Sequence, residues 1–259
     1  MAVRDAVELK SQDEIARIRA ASLVVHDVLQ AVISAVAPGV TTLELDRIAA
    51  RETAARGARP AFLGYHGYPA VLCVSVNDEV VHGIPSARRV LAEGDVVGLD
   101  FGVQFEGFFG DAARTVAVGK ARPEAQRLLD VTREALARAV AAARPDARLG
   151  DIGHAVQSHV EAMGFAVVRD FVGHGIGRQL HEAPQVPNYG APRTGVRIRP
   201  GMVLAIEPMV NAGRHHVRIL DDGWTAVTAD GSLSAHFEDT IAVTEEGPVV
   251  LSLPQKNDE

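Results

Sequence analysis

Asp100 and Asp111 stand eleven residues apart in the stretch Leu99-Asp-Phe-Gly-Val-Gln-Phe-Glu-Gly-Phe-Phe-Gly-Asp111. The apolar runs on either side of Glu106-Gly107 predict two strands joined by a tight turn. If Glu106-Gly107 is a two-residue loop, Gly102 lies opposite Asp111. Asp100 then shares a face with Asp111 one diagonal step away, roughly 5–8 Å between Cβ atoms. Carboxylates among Leu, Phe and Val are costly to bury as charges, so they require a proton or a cation. Arg114 offers a plain ion pair; a bound metal ion is the other solution.

Three further residues sit in comparable surroundings. His174 lies in Val172-Gly-His-Gly-Ile-Gly177, Glu207 between Val-Leu-Ala-Ile206 and Pro208, and Glu238 after His236-Phe237. Four carboxylates and one imidazole form a hard donor set suited to Mn²⁺, Fe²⁺, Co²⁺ or Zn²⁺. Two divalent ions would balance four carboxylates; such a pair sits about 3.5–4 Å apart and can activate water and polarise a carbonyl. His82 and His181 are read as non-ligands that hydrogen-bond a substrate amide or stabilise a developing oxyanion. Cys73 is the single cysteine, which excludes an internal disulfide and a thiolate zinc site. Gly173-x-Gly-x-Gly177 matches no dinucleotide or phosphate-loop pattern, and His181-Glu182 lacks a second histidine four residues on.

These residues are carried by a pattern that occurs twice. Ser11-Gln-Asp-Glu14 and Thr41-Thr-Leu-Glu44 are capping boxes that open two amphipathic helices, ending before Pro38 and near Gly57. Strands follow as far as Val118. Pro123 then starts a second long helix, and Ile152, Val156 and Val160 mark a shorter one ending at Met163-Gly164. Strands again dominate to Val250. Pro38 and Pro145 are 107 residues apart, as are Gly57 and Gly164, and Asp100 and Glu207. Val81-His82-Gly-Ile-Pro85 resembles Leu180-His181-Glu-Ala-Pro184 at an offset of 99. Gly110-Asp111 corresponds loosely to Phe237-Glu238 after a polar insertion around Asp221-Asp-Gly223 and Asp230-Gly231. The expectation is an α+β fold of two α-α-β-β halves, about 11–118 and 122–250, related by a pseudo-two-fold axis around a central antiparallel sheet. The whole chain, 1–259, reads as one catalytic domain with the site at the junction of its halves.

Bulk properties restrict the partners. A formal net charge of −7 over 259 residues disfavours a general nucleic-acid or membrane-surface binder. No apolar run reaches the length of a membrane span, and the first eight residues contain no signal-peptide core. A cytoplasmic monomer is expected, with residues 255–259 disordered.

Taken together, the chain resembles type I methionine aminopeptidases over nearly its full length. The resemblance rests on Leu63-Gly-Tyr-His-Gly-Tyr-Pro69, Asn77 through His82-Gly-Ile-Pro85, Asp100, Gly110-Asp111, Gly173-His174-Gly-Ile-Gly177, His181 with Pro184, Ile206-Glu207-Pro-Met209, and Glu238 with Thr240. It implies the pita-bread fold and removal of N-terminal methionine from nascent proteins when the second residue is small. It implies two divalent ions (Co, Mn, Fe or Zn), with Asp111 and Glu238 bridging, Asp100 completing one ion, and His174 and Glu207 the other. A bridging hydroxide would attack the peptide carbonyl and Glu207 would shuttle the proton. His181 would contact the scissile carbonyl or amide, and His82 the amide nitrogen side. The methionine side chain would lie against Phe62, Tyr65, Tyr68, Cys73 and Trp224. Transient ribosome association follows from the family's cotranslational role. Phe62 stands where some members have Cys, Leu180 where some have an aromatic residue, and Asp239 where the family usually has His. A proline-specific peptidase of the same fold would carry a sizeable N-terminal domain, and a catalytically silent relative would have lost ligands.

Overall fold

The computed structural model describes residues 7–255. The expected lack of a signal-peptide core and the expected disordered end concern residues 1–6 and 256–259 in large part, which lie outside the described residues. Helices α1 (Gln12–Ser34) and α2 (Thr42–Ala55) begin at the two predicted capping boxes, each with its hydroxyl accepting from the N3 amide and its Glu accepting from the cap amide. Helices α3 (Pro123–Ala142) and α4 (Leu149–Ala162) repeat this pair. Pro123 occupies the first turn of α3, where its missing N–H has no intrahelical partner to lose. Among the described residues, no helix is long and apolar enough to cross a membrane.

The strands of the first half are β1 (Arg59–Pro60), β2 (Cys73–Val76), β3 (Glu79–Val81), β4 (Val96–Phe105) and β5 (Phe108–Ala117). Those of the second are β6 (Ala166–Val167), β7 (Gly173–Gly175), β8 (Glu182–Val186), β9 (Val203–Ile206), β10 (Met209–Asn211), β11 (Val217–Ile219), β12 (Ala226–Thr228), β13 (Ser234–His236), β14 (Glu238–Thr244) and β15 (Gly247–Val250). Among the described residues, nine strands form the main sheet in the order β1-β4-β5-β14-β9-β7-β8, with β2 also on β4 and β15 also on β14. Every pairing in it is antiparallel. One face is covered by helices. Val25, Leu29 and Leu45 share a core with Val97, Leu99 and Phe101, while Leu128, Ile152 and Val156 share one with Leu204, Ile206 and Ile241.

The predicted hairpin has the register its turn dictates: Phe105 faces Phe108 and Gly102 faces Asp111. Glu106 (φ 49°) and Gly107 (φ 86°) are both left-handed, as the tight turn matching strand twist requires.

The repeat is present in three dimensions. α2 and α4, β1 and β6, and the starts of β4 and β9 are each displaced by the same 107 residues. The seam is the β5–β14 pairing. In the second half the counterpart of β4 is interrupted at Glu207-Pro208, where proline cannot donate to the ladder, and resumes as β10. The predicted correspondence of Asp111 with Glu238 is corrected by register. Gly102 faces Asp111 and Met209 faces His236, so His236 is the pseudo-symmetric counterpart of Asp111 and Ala113 that of Glu238. Two hydroxyls make the same point. Thr240 Oγ1 donates to the Asp111 carbonyl at 2.7 Å, and Thr115 Oγ1 donates to the His236 carbonyl at 2.6 Å. Glu238 therefore arises on the second half without a symmetric precursor on the first.

Candidate metal centre

Strand alternation sends five side chains to the helix-free face. Gly102 faces Asp111, Asp100 lies two residues along the same strand, and Glu238 faces Ala113, two residues from Asp111. His174 faces Ala205, two residues before Glu207. Side chains two apart on a strand share a face, so Asp100, Asp111, His174, Glu207 and Glu238 converge.

Close backbone approach shapes this floor. A Cβ on Gly173 would lie 2.4 Å from the Ala205 carbonyl oxygen, and one on Gly175 2.3 Å from that of Ala183. Only glycine lets β7 lie this close between β8 and β9 and present His174 inward. The Asn188 side-chain amide donates to the Glu207 carbonyl at 2.9 Å and fixes the chain where β9 stops.

The donor atoms crowd without satisfying one another. Asp111, His174 and Glu238 each offer an atom within 4.8 Å of the others. His174 Nε2 is 3.6 Å from Glu207 Oε1 and 4.0 Å from Asp111 Oδ2. Its Nδ1 hydrogen-bonds the Gly175 carbonyl at 2.9 Å. A carbonyl only accepts, so Nδ1 carries the proton and Nε2 turns a lone pair toward the carboxylates. Asp100 Oδ1, Asp111 Oδ1 and Glu238 Oε1 are buried with no hydrogen-bond partner. Burial raises the carboxyl pKa of Asp100, and burial with neighbouring acids raises Asp111, Glu207 and Glu238 well above the usual range. Burial also lowers His174 to about 3. A lone pair among buried carboxylates and three orphaned carboxylate oxygens form a donor set that divalent cations fit.

Arg114 does not compensate these acids. It points to the helix-covered face, where Nη2 is 2.6 Å from Asp239 Oδ1 and Nη1 donates to the Glu238 carbonyl. Ser252 completes the cluster by donating to Asp239 at 2.7 Å. Asp239 thus faces away from the five donors and touches the centre only through the backbone of Glu238.

Above the acids is a cavity of about 460 Å³. Phe62, Tyr65, Tyr68, Cys73, Trp224, His82 and His181, all expected at the site, line it together with the five donors. Tyr68 is anchored by donating to the Gly83 carbonyl at 2.9 Å. Trp224 stands edge-on to Tyr68 with ring centroids 5.2 Å apart; Asp222 accepts from its backbone N–H and holds the polar insertion in place. Burial raises the Tyr68 hydroxyl and the Cys73 thiol, leaving both neutral in an apolar sleeve. His82 stands edge-on to Phe171 at 5.3 Å, and burial lowers it to about 4. Phe171, Val81, Val172, Leu180 and His66 also line the cavity. Phe171 was not expected there, although it directly precedes the glycine-rich His174 segment. His236 has Nε2 3.7 Å from Glu207 and 4.0 Å from Glu238.

Known proteins resemble this chain over nearly its whole length. The model of metallopeptidase family M24 matches residues 16–245. The chain is 51% identical over 245 residues to the methionine aminopeptidase of Clostridium perfringens, covering 95% of this chain and 98% of that one. It is 49% identical over 249 residues to methionine aminopeptidase A of Synechocystis, covering 96% and 98%. The crystal structure of methionine aminopeptidase from Thermotoga maritima superposes with a TM-score of 0.95 at 46% identity, covering 96% of this chain and 100% of that one. Prolidase from Pyrococcus furiosus shares the fold alone, with a TM-score of 0.76 at 23% identity over 96% of this chain and 66% of that one. With its pita-bread fold and a cluster of acidic and imidazole donors on the open face of the sheet, the chain belongs to metallopeptidase family M24.

Proposed function

We propose that this chain, acting as one catalytic domain, is a metal-dependent methionine aminopeptidase that removes the N-terminal methionine of peptides and nascent proteins whose second residue is small. Its relatives at about half identity over nearly the whole chain carry that name. The observation that carries the site assignment is the convergence of Asp100, Asp111, His174, Glu207 and Glu238 beneath an apolar cavity, with three of their oxygens buried and unpartnered.

In this reading the five residues hold two divalent ions of the Mn, Fe, Co or Zn type. Bound ions supply Lewis acidity, polarising the scissile carbonyl and lowering the pKa of water. The chain's own side chains do the rest. Phe62, Tyr65, Tyr68, Cys73 and Trp224 receive the methionine side chain, a thioether among aromatic rings and a thiol. Glu207 accepts a proton from the attacking water and delivers it to the leaving amide nitrogen. His181 donates to the carbonyl oxygen as negative charge develops there, and His82 faces the amide nitrogen side. The apolar walls exclude bulk water and strengthen each of these contacts. Action on nascent chains implies cytoplasmic residence and transient contact with ribosomes.

The test is hydrolysis of Met-Ala-Ser by chelated protein resupplied with Mn²⁺, Co²⁺, Fe²⁺ or Zn²⁺, with Leu-initiated and X-Pro peptides as controls. Release of methionine only after metal return is the expected result. Cleavage of X-Pro peptides instead would move the chain to the proline-specific branch of its fold, and folded protein that cleaves nothing would make it a silent relative.

A further inference from the structure

Two histidines meet at the floor of the cavity, with ring centroids 4.2 Å apart and planes at 65°. Their outward nitrogens have different partners. His174 Nδ1 meets a carbonyl, which can only accept. His181 Nδ1 meets the Tyr65 hydroxyl at 2.7 Å, a group that can donate. An imidazole lone pair is a stronger acceptor than a phenol oxygen, and a phenol is a stronger donor than a neutral imidazole N–H. The favoured arrangement is therefore O–H···N, with the lone pair on Nδ1 and the remaining proton on Nε2.

We propose that Tyr65 is a positioning residue that sets the tautomer of His181, so that His181 presents an Nε2–H donor to the substrate while its neighbour His174 presents an Nε2 lone pair. The inference rests on the reading of His181 as a donor to the scissile carbonyl. One imidazole serves a cation and the other an oxygen that gains negative charge, and the identity of the atom behind each ring decides which.

The surroundings support a fixed role for Tyr65. It begins the single turn Tyr65–Gly67, entered through Gly64 at φ 81° and continued by His66 at φ 48°. A non-glycine residue in the left-handed region is held there only when its surroundings determine it. The turn closes on itself, with the Tyr65 amide donating to Phe62 and the Tyr68 amide to Tyr65. On the other side, Glu182 is pinned directly after His181. It is 2.7 Å from the buried Lys10 ammonium and accepts from the Arg178 and Gln179 amides at 2.7 and 3.0 Å. Backbone on both sides is thus anchored, and the hydroxyl–imidazole bond joins segments 116 residues apart. Tyr68, by contrast, is buried and turns its hydroxyl to backbone carbonyls, as a residue of the apolar sleeve would.

The experiment compares the full chain with Tyr65→Phe, which removes only the hydroxyl. Both are loaded with diamagnetic Zn²⁺ and labelled with ¹⁵N-histidine. Two-bond ¹H–¹⁵N correlations of the rings distinguish protonated from unprotonated nitrogens, and His181→Gln assigns the signal. The expected result is His181 with a protonated Nε2 in the parent and a mixture of tautomers in Tyr65→Phe. On Met-Ala-Ser with the activating ion, kcat should fall about tenfold with KM within about twofold, a fraction of the loss on deleting an oxyanion donor. In the His181→Gln background, the second change should have no further effect on kcat. A parent His181 protonated at Nδ1 would overturn the proposal, as would an unchanged tautomer in Tyr65→Phe. A variant whose loss lies in KM would return Tyr65 to the side-chain pocket alone. The spectrum is read whether or not the protein releases methionine, so failure of the aminopeptidase reading and failure of the tautomer reading give different results.

Discussion

At the scale of single residues, the chemistry follows from charge held where water is scarce. Burial raises Asp100 to about 7 and lifts Asp111, Glu207 and Glu238 well above the ordinary carboxylate range. Metal-free protein therefore holds protons that exposed carboxylates would have released, and an incoming ion must displace them. Ion binding should release protons and tighten as pH rises from about 4 toward 7. Calorimetry of the same titration in buffers of different ionisation enthalpy measures the number released; a buffer-independent heat would contradict the assignment of these acids as ligands. Most of these residues are legible in the sequence because acids and a histidine interrupt apolar or glycine-rich runs. Partners are less legible. Arg114 stands three residues from Asp111, yet its carboxylate is Asp239, 125 residues away. Local spacing says which groups need a counter-charge, whereas only the sheet register says which one they meet.

At the scale of elements, the hairpin β4–β5 is the part the sequence describes most completely, since turn length and alternation fix its register. The second half is less readable. Pro208 divides the counterpart of β4, and the hydroxyl bonds of Thr115 and Thr240 reveal an equivalence that shifts Glu238 by two residues. Gly110 shows how closely these elements fit. A Cβ there would lie 2.6 Å from the Ser22 amide nitrogen in α1. Gly110→Ala should cost about 1–3 kcal/mol by forcing the helix off the sheet, measured by chemical denaturation. Because Asp111 is the next residue, ion affinity should fall as well. Asp239 gives a second prediction. Asp239→Ala leaves the part-buried Arg114 without its carboxylate and should cost about 3 kcal/mol. Asp239→His should strengthen or shift the metal preference, acting through Arg114 and the Glu238 backbone. Equal activity and an equal metal titration would refute this.

At the scale of the whole molecule, the five proposed ligands divide two and three between the halves, with Asp100 and Asp111 on one and His174, Glu207 and Glu238 on the other. Ion binding then stabilises the seam itself. Free ion at a hundredfold its dissociation constant should add about 2.7 kcal/mol per ion to the folded state, so chelation should lower the melting temperature and metal return should restore it. Along the β5–β14 seam, two register pairs join the halves, Glu238 with Ala113 and Asp239 with Ala112. A slip of one residue there would turn Glu238 to the helix-covered face and bring Asp239 to the open one. The centre thus reports on its own assembly: a copy whose halves are out of step lacks a ligand set and cleaves nothing. Misassembled molecules are silent rather than indiscriminate, a useful property in a peptidase.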